Sequence, residues 1–267
     1  IDGSPVGRAL SPGGLGTVTR YGLLIGPALS MLDSSIVNVA VPSIGHDFGA
    51  GLDAVAWVVS GYLLSLAVGL ALTAYAVRRF GTMPVYLASL MLFVITSAVC
   101  SLAPAIEMLV AARVVQGFVG APLVPLALSV LMGKDGLGNG KVPVSAAVVL
   151  FLSPALGPSL GGLLISAGGW QWVFLANVPI GILGFILSLR VRHVGERARA
   201  DAQFDATGFL LLSAGLVAVL LGATHGTSHG WTEPAALVLL VGGMVVLAAY
   251  IRWAARTAHP AIRLDIV

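Results

Sequence analysis

Eight long apolar runs, at 21–42, 55–77, 84–102, 107–132, 142–167, 173–191, 206–223 and 235–253, limit what this chain can become. Each is long enough to cross about 30 Å of hydrocarbon. No water reaches backbone N–H and C=O groups inside a bilayer, so a crossing segment must satisfy them as a helix. A transmembrane barrel needs short strands of alternating polarity, which these runs are not. Turn residues or charges fill the breaks: Gly49-Ala50-Gly51, Arg78-Arg79, Ala103-Pro104, Lys134 to Lys141, Gly168-Gly169, Arg190 to Asp205, and Gly226 to Pro234. Charged residues make up only 9% of the chain and mean hydropathy is +1.00, where a soluble domain carries roughly 25% charge. The fold class is all-α integral membrane.

The basic residues set an orientation. Arg8 and Arg20 precede span 1; Arg78 and Arg79 join spans 2 and 3; Lys134 and Lys141 join spans 4 and 5. Arg190, Arg192, Arg197 and Arg199 follow span 6, and Arg252, Arg256 and Arg263 close the chain. Thirteen of the 14 basic residues thus fall on one side of an eight-span arrangement. The positive-inside rule then places both termini in the cytoplasm. The same alternation checks the span count, since one missed helix would scramble it. Basic residues this sparse, without runs interleaved with aromatics, point away from nucleic acid.

The fourteenth basic residue, Arg113, lies two turns inside span 4, and Asp33 is the one acid inside any apolar run. A charge left unpaired at the bilayer midplane costs several kcal/mol, so such residues mark ion or substrate paths. Counting 1.5 Å per residue, Asp33 lies about 13 Å below an outer end at Pro42, and Arg113 about 9 Å below Glu107. Similar depth suggests that they pair. A neighbouring cation favours the ionised carboxyl and desolvation disfavours it, so protonation could switch such a site. The alternative is a static pair that only fixes helix packing.

Other residues carry less. Trp57, Trp170, Trp172, Trp231 and Trp253 fall at span ends, as interfacial aromatic belts do. His46, His193, His225, His229 and His259 lie in loops or tails, and Gly226 and Gly230 argue against a helix bearing His225 and His229. No metal site is expected. Cys100, the single cysteine, is expected to pack within span 3. The loop Gly133 to Lys141 invites a phosphate-loop reading, but Val142 follows the lysine where Ser or Thr is required and no strand precedes it. No ATPase, intramembrane protease or other membrane enzyme is visible. The Gly/Pro/Ser-rich residues 1–20 read as a flexible cytoplasmic tail without a signal peptide.

Glycine and proline cluster within spans as well as between them. Span 5 reads Ser153-Pro154-Ala155-Leu156-Gly157-Pro158-Ser159-Leu160-Gly161-Gly162. Gly157 and Gly161 form a GxxxG face for close helix approach, and Pro154 and Pro158 each remove a backbone hydrogen bond. Span 4 carries Gly117, Gly120, Pro122 and Pro125, and span 1 carries Gly26 and Pro27. Bent, closely packed helices of this kind can line a cavity and rock against partners.

Six segments resemble motifs of one family. Leu32 to Pro42 is similar to LDxTIVNVALP, and Arg113-Val114-Val115-Gln116-Gly117 to RxxQG. Gly157 to Gly162 is similar to GPxxGG, Trp170 to Gly181 to WRWIFLINVPIG, and Phe204 to Gly208 with His259-Pro260 also fit. The chain resembles the first eight spans of the fourteen-spanner drug:proton antiporters of the major facilitator superfamily, the EmrB/QacA type. The resemblance implies a six-helix N-terminal bundle at 21–191, built as a 3+3 inverted repeat. A cytoplasmic linker would follow at 192–205, then two additional transmembrane helices at 206–253 and a cytoplasmic tail at 254–267.

The resemblance also assigns roles. Asp33 and Arg113 would couple protons; Asn38, Gln116 and Tyr62 would line the substrate cavity. Gly157, Pro158, Gly161 and Gly162 would form the antiporter motif. The span 2–3 loop, GxLADRxGRK in the family, is here Ala74 to Met83, with Arg78 at the acidic position and Thr82-Met83 at the basic pair. Arg79 and Gly81 stay in register, so Arg78, Arg79 and Gly81 mark a cytoplasmic gating loop that departs from the pattern. Span 9 would begin after Val267, so the chain alone is expected to lack the second bundle.

The reading that follows is proton-coupled export of small lipophilic compounds or antibiotics across the inner (plasma) membrane. Asp33 would take a proton outside and release it inside, with substrate competing for the same site. No cofactor is expected beyond the proton gradient. Expected partners are the lipid bilayer, a small-molecule substrate, and a second bundle or another copy. The rival reading is a non-transporting half-transporter fragment or membrane scaffold that needs a partner chain.

Overall fold

The computed structural model describes residues 17–132, 144–191, 198 and 203–257. The Gly133 to Lys141 loop, most of the 192–205 linker and the end of the C-terminal tail lie outside them. Eight helices among the described residues are long and apolar enough to cross a membrane. They are α1 (Thr17–Phe48), α2 (Leu52–Phe80), α3 (Thr82–Ser101), span 4 as α4 (Ile106–Gly120) and α5 (Leu123–Met132), and α6 (Val144–Gly168). Span 6 follows as α7 (Gln171–Leu175) and α8 (Asn177–Ser188), then α9 (Ala206–His229) and α10 (Pro234–Ala254). The protein is a multi-pass membrane protein.

Four expectations are corrected. Span 1 does not stop at Pro42: α1 runs on to Phe48. A proline interrupts only one ladder bond, and the last turns are anchored by buried Ile44 and by the Trp170 indole donating to Asp47 Oδ2 at 2.9 Å. Trp170 is accordingly no belt residue; it is 1% exposed and packs between Phe48 and Phe174. Spans 4 and 6 are each broken, at Ala121-Pro122 and at Ala176. The Pro122 ring cannot donate to the carbonyl of Phe118, nor that of Pro179 to Leu175. Finally, α9 carries His225 and Gly226 within the helix, because Gly226 seats against the ring of Trp231 and His225 pairs with Glu233 across the turn.

Helix contacts reveal the internal repeat. Span 1 packs chiefly on spans 5 and 6, span 4 on spans 2 and 3, and span 3 on span 6. Exchanging spans 1, 2, 3 with spans 4, 5, 6 returns the same set of pairs. That is the behaviour of a 3+3 repeat, and it makes the helices carrying Asp33 and Arg113 equivalent partners. Helices α9 and α10 form a hairpin packed on α2, through Ala71, Leu212, Tyr250 and Ala254 and the Tyr75–Phe204 ring contact.

Glycines set how closely these helices approach. A Cβ on Gly117 of α4 would overlap the Tyr62 carbonyl and Ser65 Oγ of α2, and one on Gly69 of α2 would meet Phe118 O and Ala121. Gly117→Val therefore forces α2 from α4, and overpacking of this kind costs about 1–3 kcal/mol or more. Thermal unfolding of the purified protein in detergent should show a lowered midpoint. An unchanged midpoint would contradict the packing described.

Candidate functional site

Two apolar clusters lie toward opposite ends of the six-span bundle. One gathers Leu23, Leu29, Tyr86, Leu90 and Phe93; the other gathers Ile36, Val37, Ile44, Leu109 and Trp170. Between them lies a layer of polar side chains contributed by five spans. In hydrocarbon such groups are tolerated only when they satisfy each other.

Asp33 sits near the middle of α1, about 22 Å below Phe48, and Arg113 about 10 Å below Ile106. They meet because α1 continues past the start of α4. Arg113 Nη1 binds Asp33 Oδ2, with side chains 1% and 0% exposed. The guanidinium also donates from Nη1 to Gln116 Oε1 at 2.7 Å and from Nε to the Val58 carbonyl at 3.2 Å. Arg113 Cζ lies 4.0 Å from the Tyr62 ring centre and 5.6 Å from that of Phe174. A planar fork with aromatic neighbours suits arginine and not lysine.

The network extends past the pair. Gln116 Nε2 donates to Ser97 Oγ at 2.6 Å, and Asn177 Nδ2 donates to Asp33 Oδ1 at 2.9 Å and to Ser97 Oγ at 3.1 Å. Cys100 Sγ lies 3.7 Å from Gln116 Oε1. Both Asp33 oxygens therefore accept from donors on other helices. An ionised carboxyl only accepts, whereas a protonated one must also donate. A proton on Oδ1 would confront the Asn177 amide, and one on Oδ2 the guanidinium. Each of these two contacts joins α1 to another helix, α8 through Asn177 and α4 through Arg113.

The structure brings together Asp33, Arg113, Gln116 and Tyr62, but in a closed layer: Gln116 is fully buried and Tyr62 is 1% exposed. Asn38 stands apart, exposed on α1, its amide donating to the Ser34 carbonyl of its own helix at 2.9 Å. Gly157 and Gly161 of α6 lie on α1, Gly161 with room for a Cβ only 3.1 Å from Ile36; Pro158 and Gly162 are exposed. Arg78, Arg79 and Gly81 belong to the far end of α2, where Gly81 takes φ +91° and donates to the Val77 carbonyl at 2.7 Å. Among the described residues no His, Cys, Asp and Glu group could hold a metal ion.

Sequence reasoning overlooked Ser97 and Asn177. Asn177 had a signal: like Asp33, it is a strongly polar residue inside an apolar run. Ser97 had none, because single serines in transmembrane helices commonly bond their own backbone.

Two apolar grooves mark the bundle surface, away from the network. One of about 390 Å³ lies between α2, α3 and α4 and includes Leu72, Phe80, Leu92 and Phe118. The other, about 400 Å³, lies between α2, α4 and α9 and includes Trp57, Leu64, Val115 and Val217.

Comparison with known proteins bears on this arrangement. Residues 23–259 match the model of the Major Facilitator Superfamily. The chain is 35% identical over 247 residues to a multidrug resistance protein B homolog of Mycobacterium tuberculosis, covering 91% of this chain and 45% of that protein. It is 29% identical over 256 residues to the multidrug export protein EmrB of Haemophilus influenzae, covering 95% of this chain and 50% of that one. The chain spans about half the length of the curated relatives it matches. Among solved structures, a peptide transporter POT in complex with sulfate superposes with a TM-score of 0.60 at 14% identity, over 90% of this chain and 53% of the other. That likeness shows the fold.

Proposed function

Because the chain belongs to the Major Facilitator Superfamily, we propose that its Asp33–Arg113 layer is the proton site of an exporter of lipophilic compounds. The observation that carries this reading is a buried carboxylate whose two oxygens are held by donors on two other helices. A proton arriving at Asp33 releases one of those contacts and frees α1 to shift; departure of the proton restores it. Substrate competes because a bound molecule must displace the same donors. The names of the relatives, which are export and resistance proteins, support outward transport of drug-like cargo.

In this proposal the termini face the cytoplasm, on the strength of the basic residues, and the protein resides in the inner membrane. The exposed α1 positions Asn38 and Pro42 would face a second bundle or another copy, where Asn38 would meet substrate. The chemistry is carried by side chains and a proton gradient.

The test is uptake of a fluorescent lipophilic dye into inverted membrane vesicles containing the protein. Imposing an inside-acid gradient should drive accumulation, and an uncoupler should abolish it. Accumulation that needs ATP and ignores the uncoupler would overturn the reading.

A further inference from the structure

A proline inside a transmembrane helix leaves the carbonyl four residues back without its donor, and a neighbouring helix can make good the loss. Two Gly-Pro pairs lie inside helices here, Gly26-Pro27 in α1 and Gly157-Pro158 in α6. Pro27 strands the carbonyl of Leu23, and Tyr86 of α3 donates its hydroxyl to that oxygen at 2.9 Å. Pro158 strands the carbonyl of Pro154, and Ser35 of α1 donates its hydroxyl there at 2.8 Å.

The glycine before each proline makes the approach possible. A Cβ on Gly26 would lie 2.6 Å from Tyr86 Oη, and one on Gly157 would fall onto Ser35 Oγ. The other prolines inside these helices, Pro42 and Pro154, follow Val41 and Ser153, each of which carries a Cβ where Gly26 and Gly157 have none. Nor does a polar side chain reach across by default. Ser34 Oγ bonds the Ser30 carbonyl of its own helix at 3.0 Å, and Asn38 bonds that of Ser34. Ser34 also interacts with the Tyr62 hydroxyl of α2, but of these three neighbours only Ser35 bonds a backbone carbonyl of another helix.

We infer that Tyr86 and Ser35 are positioning residues that supply the donors Pro27 and Pro158 lack, and so fasten α1 to α3 and α6 on either side of Asp33. The clasps stand ten residues before and two after the carboxyl. Each is a single side-chain bond to a backbone oxygen, which a tilting helix can remake where a ladder bond cannot. The consequence for transport rests on the antiport reading above; the clasps themselves do not.

Unfolding of the full protein tests the clasps through two double-mutant cycles, Tyr86→Phe with Pro27→Ala and Ser35→Ala with Pro158→Ala. Alanine at 27 or 158 restores the helix's own N–H, so the hydroxyl becomes dispensable. Each hydroxyl deletion should shift the unfolding equilibrium about three- to tenfold with the proline present, and by much less once it is gone. Equal shifts in both backgrounds would overturn the clasps.

A second readout tests the positioning of Asp33. The ionisable groups facing it are Arg113 from α4, Tyr62 from α2 and Cys100 from α3; α5, α6, α7 and α8 contain none. Ser35→Ala leaves all of them in place, yet should displace the pH midpoint of dye transport by about half a unit or more. An unchanged profile would reduce Ser35 to a packing residue. Absence of any proton dependence in the unmodified protein would instead sink the antiport reading, while the unfolding cycles still decide the clasps.

Discussion

Asp33→Asn is expected to bring proton-driven dye accumulation down to that of vesicles lacking the protein. The amide copies the carboxyl's shape and can still accept from Asn177 or from Arg113, but it can neither take up nor release a proton. Uphill movement should vanish, while downhill exchange of dye across the same vesicles persists. Loss of both would mean that the substitution disrupts the bundle instead of its coupling. Asp33→Glu keeps the charge but adds a methylene to a layer in which both partners are essentially buried. Overpacking makes partial activity the expected outcome there. Uphill accumulation retained by Asp33→Asn would remove the carboxyl from the mechanism.

Arg113→Met should be the most damaging single change to stability. It strips Asp33 of its counter-ion and removes the guanidinium donors from the Val58 carbonyl and Gln116 Oε1. Breaking a buried pair from one side costs about 3–5 kcal/mol, because the surviving charge stays desolvated. Accumulation in the membrane should fall steeply, with early unfolding in detergent. Arg113→Lys should recover little, since one ammonium cannot serve three acceptors in the fork geometry while holding its charge over the Tyr62 ring. Neutralising both members, Asp33→Asn with Arg113→Met, should restore much of the folding and none of the uphill transport. That separation is the useful one: if the double variant is as unstable as Arg113→Met, charge burial is not what the pair is balancing.

Much of this was legible in the sequence because the bilayer leaves so few options. Eight apolar runs and one-sided arginines specify the spans, and one acid with one base inside them specifies a pair. What escaped was of two kinds. Proline effects depend on what lies one turn away: Pro42 leaves α1 running on to Phe48, whereas Pro122 and Pro179 coincide with breaks. Ile44 and the Asp47–Trp170 bond hold the first helix together, and that bond bridges more than a hundred residues of sequence. The second kind is partnership. Ser97, Asn177, Ser35 and Tyr86 are ordinary polar residues until the fold sets a carboxylate or a stranded carbonyl beside them. Asn38, strongly polar and close to Asp33 along the chain, bonds its own helix, because residues five apart do not share a helix face as residues three or four apart do.

The most direct measurement of the central claim is proton release on substrate binding. Purified protein in weakly buffered detergent solution would be mixed with a lipophilic dye while a pH indicator follows the bulk. Competition between substrate and proton at Asp33 predicts that dye addition acidifies the solution, and that Asp33→Asn protein binds dye without doing so. Equal acidification by both proteins, or dye binding with no proton release from either, would contradict it.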